Sequence, residues 1–498
     1  MAAAGAVAQS TVDLSTLPAF LKSSSSTNWP TLLAIGQQIW NDPELGLNET
    51  HAHDRIVSYF SSVAGWTVSG SAYTGLPTAF RAEFDNRPAG FTGTLPTVGF
   101  MAEYDALNGE GHACGHNQIA LNGISAAKFA SEALVHYGIP GRVILIGTPD
   151  EENAAGKFKL NNLDAFADSE VWLMAHPTTT GAIQPMNARL NYFATFLGST
   201  HSEAVAKAYS AMAIVQNLTG LPGTSSSAVS IENVGVYATN IVQSVIDLGV
   251  AGLSLAKVNS TVASILDSTY PNVTYSIATD ANGVALTING PGGHASDATK
   301  GPLVLSVNTF NALKNTAGVS FYLPSNTSIN ELDITIDMRT RYTADLNTVA
   351  NFVSAALGTI PNSISHDVQY PALEVDPYLG QKFINLVETA DYGLTNFPLS
   401  TFAPASTDAS WVQDPVLDPV THNLTSAAKA VLHANYGICT NPSGAGCAFN
   451  HEPLFKPLAN TAFAYAQTEI VARAEAQIAV ELLADPSEMA AAIAIVSN

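Results

Sequence analysis

The chain has 498 residues, 47% apolar and 8% aromatic, with 41 acidic against 19 basic side chains and a formal net charge of −22. This excludes a disordered polymer and suits two or three packed domains. The acidic balance, with no Lys/Arg-rich run, argues against nucleic acid as a partner, and no apolar run reaches bilayer-spanning length.

The start, MAAAGAVAQS, lacks a basic leader segment and is not a complete signal peptide, although AVA before Gln9 has the small residues of a cleavage-site stub. Residues 30–62 read as helical, with Leu32, Leu33, Ile35, Ile39 and Trp40 on one broad face. Strands and helices then alternate. TVGFMAEY is a strand, DALNGEG a turn, and QIALNGISAAKFASEALVHYG a helix. RVILIGT is a second strand, NAAGKFKLNNLDAF a helical stretch, and EVWLMA a third strand. This alternation predicts an α/β domain with helices packed on a largely parallel sheet.

Residues 187–371 change texture. The order strand, helix, strand, strand, helix, strand occurs twice, in LNYFATFLG through VTYSIA and in GVALTING through HDVQY. It predicts an inserted α+β segment of two tandem βαββαβ units, 187–280 and 281–371. Each unit has a histidine soon after its first strand, His201 and His294. Mixed α/β texture returns after residue 372 and ends in a long helix, LANTAFAYAQTEIVARAEAQIAVELLA. Residues 1–186 and 372–498 thus form one domain split by the insertion.

Ionisable residues gather at predicted strand ends. Glu103 and Asp105 follow the first strand, Glu151 and Glu152 the second, and His176 the third. In open α/β sheets, ligands bind at the carboxyl ends of the strands. HACGHN, residues 112–117, lies on the loop after the first strand. Cys114 with His116 as base would make a nucleophile, but that leaves the Glu pair and His176 without a task. A disulfide at Cys114 would need one of two distant cysteines that have each other. Thiolate, imidazole and carboxylate together suit two divalent ions, zinc most naturally. Cys439 and Cys447 bound a Gly/Pro/Ser loop, CTNPSGAGC, that either closes as a disulfide in an oxidising compartment or holds two free thiols. Sequons at Asn48, Asn217, Asn259, Asn272, Asn326 and Asn423 are about as frequent as chance would give in so Asn/Ser/Thr-rich a chain.

AEYDALNGEGHACGHN, GTPDEEN, LMAHP, ASTDAS and NHE resemble, in order, the motifs of the aminoacylase / carboxypeptidase G / indole-acetyl-amino-acid hydrolase family of dinuclear metallopeptidases. QQIWNDPELGLNETHAHD and GLPTAFRAEF are similar to it too, and the CGHN form is nearest the aminobenzoyl-glutamate hydrolase and β-alanyl-lysine dipeptidase branch. The resemblance implies Cys114, His116, Glu152, His176 and His451 as metal ligands, with Cys114 in the place of a bridging carboxylate. It implies two divalent ions, zinc first, with manganese or cobalt as alternatives. Glu151 matches the general base that activates a metal-bound water, and Asp105 matches an acid that orients the site. Asn240, in NVGVYATNIV, and His294, in GPGGHAS, match lid residues that approach the substrate. Glu103 stands where some relatives have a ligand His, and His112 reads as a support residue. ASTD departs from the family's GSTD without removing a ligand.

The implied activity is hydrolysis of the amide bond of an N-acyl amino acid or small dipeptide. The alternatives are an amide-forming enzyme on the same site and a metal-containing protein that binds small amides without cleaving them. Retention of Glu151 argues against the binder. Relatives with one lid unit dimerise through it, so a duplicated lid implies a monomer. A disulfide would place the chain in the secretory pathway or outside the cell; free thiols would suit the cytoplasm.

Overall fold

The computed structural model describes residues 12–223, 227–235, 241–270, 272–294, 301–395, 397–444 and 446–496. Two helices come first, α1 (Leu17–Asn41) and α2 (Thr50–Ser62). The sequence pattern alone runs them together. Pro43 and Gly46 lie between them, and the Glu44 carboxylate accepts the backbone N–H of His51 and of Ala52 at 2.9 Å, capping the start of α2.

There follow β1 (Trp66–Ser69), β2 (Phe80–Asn86), β3 (Thr97–Ala102), α3 (His116–Tyr137) and β4 (Gly141–Gly147). Next come the short helices α4 (Glu151–Ala154) and α5 (Gly156–Asn161), then β5 (Val171–Thr178) and β6 (Ala182–Ile183). The inserted segment holds β7 (Ala188–Leu197), α6 (His201–Gln216), β8 (Ala228–Val234), β9 (Ile241–Val242), β10 (Val245–Ala251), α7 (Leu255–Ile265) and β11 (Thr274–Thr279). It continues with β12 (Val284–Asn289), β13 (Gly293–His294), α8 (Pro302–Leu313), β14 (Ser320–Tyr322), β15 (Glu331–Thr340), α9 (Thr343–Leu357) and β16 (Ser363–His366). The chain closes with α10 (Pro377–Val387), α11 (Ser410–Gln413), β17 (Val416–Leu417), β18 (Leu424–Ser426), β19 (Ala430–Gly437), α12 (Phe455–Leu458), α13 (Ala462–Ala484) and α14 (Pro486–Ala492).

The main sheet has the order β1-β2-β4-β3-β5-β19-β6. Its four middle strands, β4, β3, β5 and β19, are parallel, and the outer strands are antiparallel. Both faces of the middle strands are buried, as parallel strands require. Phe100, Val143, Leu145 and Leu173 pack on one side with α1, α3 and α13. Met101, Ile144, Ile146, Trp172 and Met174 pack on the other. The alternation follows the two-residue period of a strand. Strand β19 comes from beyond the insertion, so the sheet is completed only when both ends of the chain meet.

Helix α3 lies very close to β3. A Cβ placed on Gly123 would sit 2.4 Å from the Met101 carbonyl oxygen. This approach fixes the start of α3 over the end of β3. Gly123→Ala is expected to push the helix outward and cost about 1–3 kcal/mol of stability. Denaturant unfolding measures it, and an unchanged midpoint would contradict the packing argument.

The inserted segment has the element order expected, but its strands pair differently from two tandem units divided at residue 280. One sheet is β16-β7-β15-β8 and the other is β11-β12-β10-β14. Each is an antiparallel split-βαβ sheet. The second is built from residues 245–322 and is nested inside the first, between β8 and β15. The expected boundary after residue 280 falls inside the β11–β12 hairpin, where Asp280 Oδ1 accepts the N–H groups of Asn282 and Gly283. Both sheets share a single apolar core that includes Phe196, Met212, Leu248, Leu286 and Phe310.

Candidate metal centre

Three strand ends, one helix start and one returning loop meet at the carboxyl edge of the main sheet. Glu103 and Asp105 follow β3, Glu151 and Glu152 open α4 after β4, and His176 lies near the end of β5. Cys114 precedes α3, and His116 is its first residue. The positive end of that helix favours a thiolate. His451 arrives from the loop after β19. Its backbone is in the left-handed region, with φ 72°, and its N–H donates to the Ala113 carbonyl at 2.9 Å. Such a conformation is costly for a side chain that has a Cβ, and costs of that kind concentrate at functional sites.

The side chains converge closely. Potential ligand atoms of Cys114, His116 and His176 lie within 4.8 Å of one another, and so do those of Cys114, Glu152 and His451. The two groups share Cys114. His116 Nε2 is 3.5 Å from Glu152, 3.6 Å from Glu103 and 4.0 Å from Glu151. His451 Nε2 is 3.4 Å from Glu152, and His176 Nε2 is 3.5 Å from Cys114 Sγ.

The supporting contacts orient these groups. Asp105 accepts from His116 Nδ1 at 2.9 Å through one oxygen and from the Glu152 backbone N–H at 3.0 Å through the other. His176 Nδ1 donates to the Pro177 carbonyl at 2.8 Å. Both acceptors demand a proton on Nδ1, which leaves Nε2 facing the cluster as the nitrogen that would bind an ion in exchange for its proton. The residues therefore fit divalent ions in tautomer as well as in donor type: a thiolate that two three-ligand groups share, imidazoles and a carboxylate.

The electrostatics agree. Burial and the Glu152 carboxylate push the Cys114 thiol up, but His116, His451 and His176 outweigh them and bring it down to about 6. Burial pushes His116, His451 and His176 down, and the neighbouring thiolate and carboxylates more than reverse this. Burial likewise opposes ionisation of Glu152, yet His451 and His116 hold it far below the usual range. Glu151 moves the other way. Burial, then the charges of Glu152, Glu103 and Asp408, raise it well above an ordinary carboxyl. Burial, with His116 second, takes His112 down to about 3.

Several contributors were not visible in the sequence. Lys157 is fully buried and joins Glu103 to Asp408, with Nζ 2.6 Å from Asp408 and in close contact with Glu103. Asp408 belongs to the ASTD motif; Lys157 gave no signal. Asn450 donates to the Cys114 carbonyl at 2.8 Å and to that of Pro177 at 3.0 Å, tying the His451 loop to both ligand segments. Buried Glu49 accepts from Thr78 at 2.6 Å and from the Asp150 backbone N–H at 2.9 Å. Burial, then Asp105, pushes its carboxyl up to about 8. Tyr370 donates to the Glu151 carbonyl at 2.6 Å. Cys439 and Cys447 are bonded to each other upstream of His451, and Cys114 is free.

Of the lid residues singled out in the sequence, Asn240 lies outside the described residues. His294 is described only in its backbone, in β13 paired with β9. His201 holds the lid's own backbone, donating to the Ile329 carbonyl at 2.5 Å and accepting from Leu323 N–H at 2.9 Å. No helix among the described residues is long and apolar enough to cross a membrane.

No family model matches the chain. A segment of 158 residues, 30% of this chain, is 41% identical to the Xaa-Arg dipeptidase of Homo sapiens, of which it covers 36%. A segment of 160 residues, 29% of this chain, is 31% identical to a p-aminobenzoyl-glutamate hydrolase chain of Escherichia coli, of which it covers 31%. The matches thus span about a third of those relatives' lengths. The fold extends further. The crystal structure of the aminobenzoyl-glutamate utilization protein of Klebsiella pneumoniae superposes with a TM-score of 0.51 at 11% identity, over 92% of this chain and 98% of that one. Over about 30% of its length the chain is thus similar in sequence to a dipeptidase and to an aminobenzoyl-glutamate hydrolase chain, and over nearly all of it the chain shares the fold of the Klebsiella pneumoniae protein.

Proposed function

We propose that the protein is a metal-dependent amidohydrolase that cleaves the amide bond of an N-acyl amino acid or small dipeptide. The observation that carries the reading is the convergence of Cys114, His116, Glu152, His176 and His451 in two three-ligand groups, with Glu151 on the wall of the same cavity. These five residues would hold two divalent ions, zinc first by donor type. Bound there, such ions supply the electrostatic activation of water and of the amide carbonyl.

The chain's own residues do the rest. Glu151 takes a proton from the attacking water and passes it to the departing amine nitrogen. A carboxyl raised by its surroundings suits a group that must both accept and return a proton near neutral pH. Asp105 is a positioning residue, holding His116 and the start of α4. By their likeness to the family's lid motifs, Asn240 and His294 would supply donors to the developing oxyanion. The bond between Cys439 and Cys447 favours an oxidising compartment as the site of folding.

Metal content and chelation test the reading. Protein grown with zinc is expected to hold about two ions per chain, one for each of the two groups that share Cys114. Chelation should abolish cleavage of simple dipeptides and N-acyl amino acids, and added zinc or manganese should restore it. Protein that binds no divalent ion, or cleavage that survives complete removal, would overturn the proposal.

A further inference from the structure

The cluster opens into a cavity of about 410 Å³. Its apolar lining comes from Met186, Phe402, Pro404, Ala405 and Phe449. Phe402 is 70% exposed and Phe449 59% exposed. Two large rings lining one cavity, left largely in water, are the mark of a surface that a ligand covers. Phe449 lies two residues before His451, on the loop that brings His451 into the cluster.

The charge pattern narrows the ligand. Among the described lining residues there is no Lys, Arg or Asp, and the two Glu are Glu151 and Glu152. The remaining polar lining is neutral, from threonines, Ser406, Gln184, Asn435 and Asn450, or belongs to Cys114 and the histidines. Among the described lining residues, a cationic side chain finds no carboxylate outside the reacting centre, and an anionic one finds no Lys or Arg. Burying a charge without a partner is far costlier than burying an apolar group of the same size.

Resting on the hydrolase reading above, we infer that this cavity selects substrates with a large, neutral, apolar group, an aromatic or branched aliphatic side chain or acyl group, held between Phe402 and Phe449. An aromatic group buries enough area against two rings to dominate recognition. The neutral polar floor is left to hydrogen-bond the substrate's peptide groups.

The test is a matched panel on the metal-loaded protein: dipeptides of alanine with Phe, Leu, Arg or Glu, in both orders. The expected result is that Phe and Leu members exceed Arg and Glu members in kcat/KM by about 100-fold in at least one order. Phe402→Ala and Phe449→Ala should each shrink the preference for Phe over Ala in that position by about 10-fold. Equal or better turnover of the Arg or Glu members in both orders would overturn the inference. So would an unchanged Phe-to-Ala preference in both variants. If no member is cleaved, the hydrolase reading fails, and calorimetric binding of the same panel to metal-loaded Glu151→Gln decides the pocket alone. Tighter binding of the Phe members keeps the apolar site; equal binding of Phe, Arg and Glu members removes it.

Discussion

Glu151→Gln is expected to lower amide hydrolysis by a factor of about 10²–10⁴ while leaving the bound ions in place. Glu151 and Glu152 are adjacent in sequence and similar in burial, yet their surroundings push them apart. Glu152 lies 3.4 Å from His451 and 3.5 Å from His116, and these imidazoles hold it ionised against the cost of burial. Glu151 is 4.0 Å from His116 and is raised by burial and by three carboxylates, Glu152, Glu103 and Asp408. Neighbouring acids driven in opposite directions fit the proposed division between a ligand, Glu152, and a proton carrier, Glu151. One geometric group, His116 with Glu151 and Glu152, leaves Glu151 within reach of an ion. Metal analysis of the variant settles which role it has. Two ions retained with kcat lost would fix Glu151 as the base. Loss of an ion along with activity would make it a ligand, and Glu152→Gln is the control expected to lose metal.

Much of this site was legible because its residue types are rare and sit where strands end. Three short apolar runs located β3, β4 and β5, and the acids and histidines after them fell on one rim. Cys114 and His116 on the following loop completed the pattern. What stayed hidden depends on tertiary placement. Lys157 in GKFKLN looks like any helix-surface lysine, and only the fold reveals that Glu103 and Asp408 enclose it. Glu49, Tyr370 and Asn450 act through backbone groups distant in sequence, which no local pattern records. The nested lid was missed for a related reason. A linear order of strands and helices does not say which strands pair, because the pairing is non-local. One local clue was present: Asp280-Ala281-Asn282-Gly283 between two alternating strands is a hairpin signal, and it argued against a unit boundary at that point.

The largest stability effect is expected at Lys157, and it follows from charge rather than packing. Lys157, Glu103 and Asp408 are each 0% exposed. Lys157 Nζ lies between the two carboxylates, and its backbone N–H also donates to Asp408 at 2.8 Å. Burial opposes ionisation of Glu103, but Lys157, His116 and His176 overcome it and hold the carboxyl below its usual range. Burial works against the Lys157 ammonium too, and Asp408 and Glu103 reverse it, raising its pKa. Lys157→Met keeps most of the side-chain volume and strands two buried carboxylates. The expected loss is about 3–5 kcal/mol in the metal-free protein. The pH dependence gives the cause. A stranded buried carboxyl has a folded-state pKa above its unfolded one, so its penalty is absent below the unfolded value and grows as pH rises toward the folded one. The deficit of Lys157→Met against the native protein should therefore be larger at pH 8 than at pH 5. Asp408→Asn added to Lys157→Met should recover part of it by removing one stranded charge. Urea unfolding of the three proteins at both pH values measures this. A deficit that is the same at both pH values, and that Asp408→Asn does not reduce, would mean that Lys157 holds the site by shape alone and that Glu103 is kept in place by the cluster it faces.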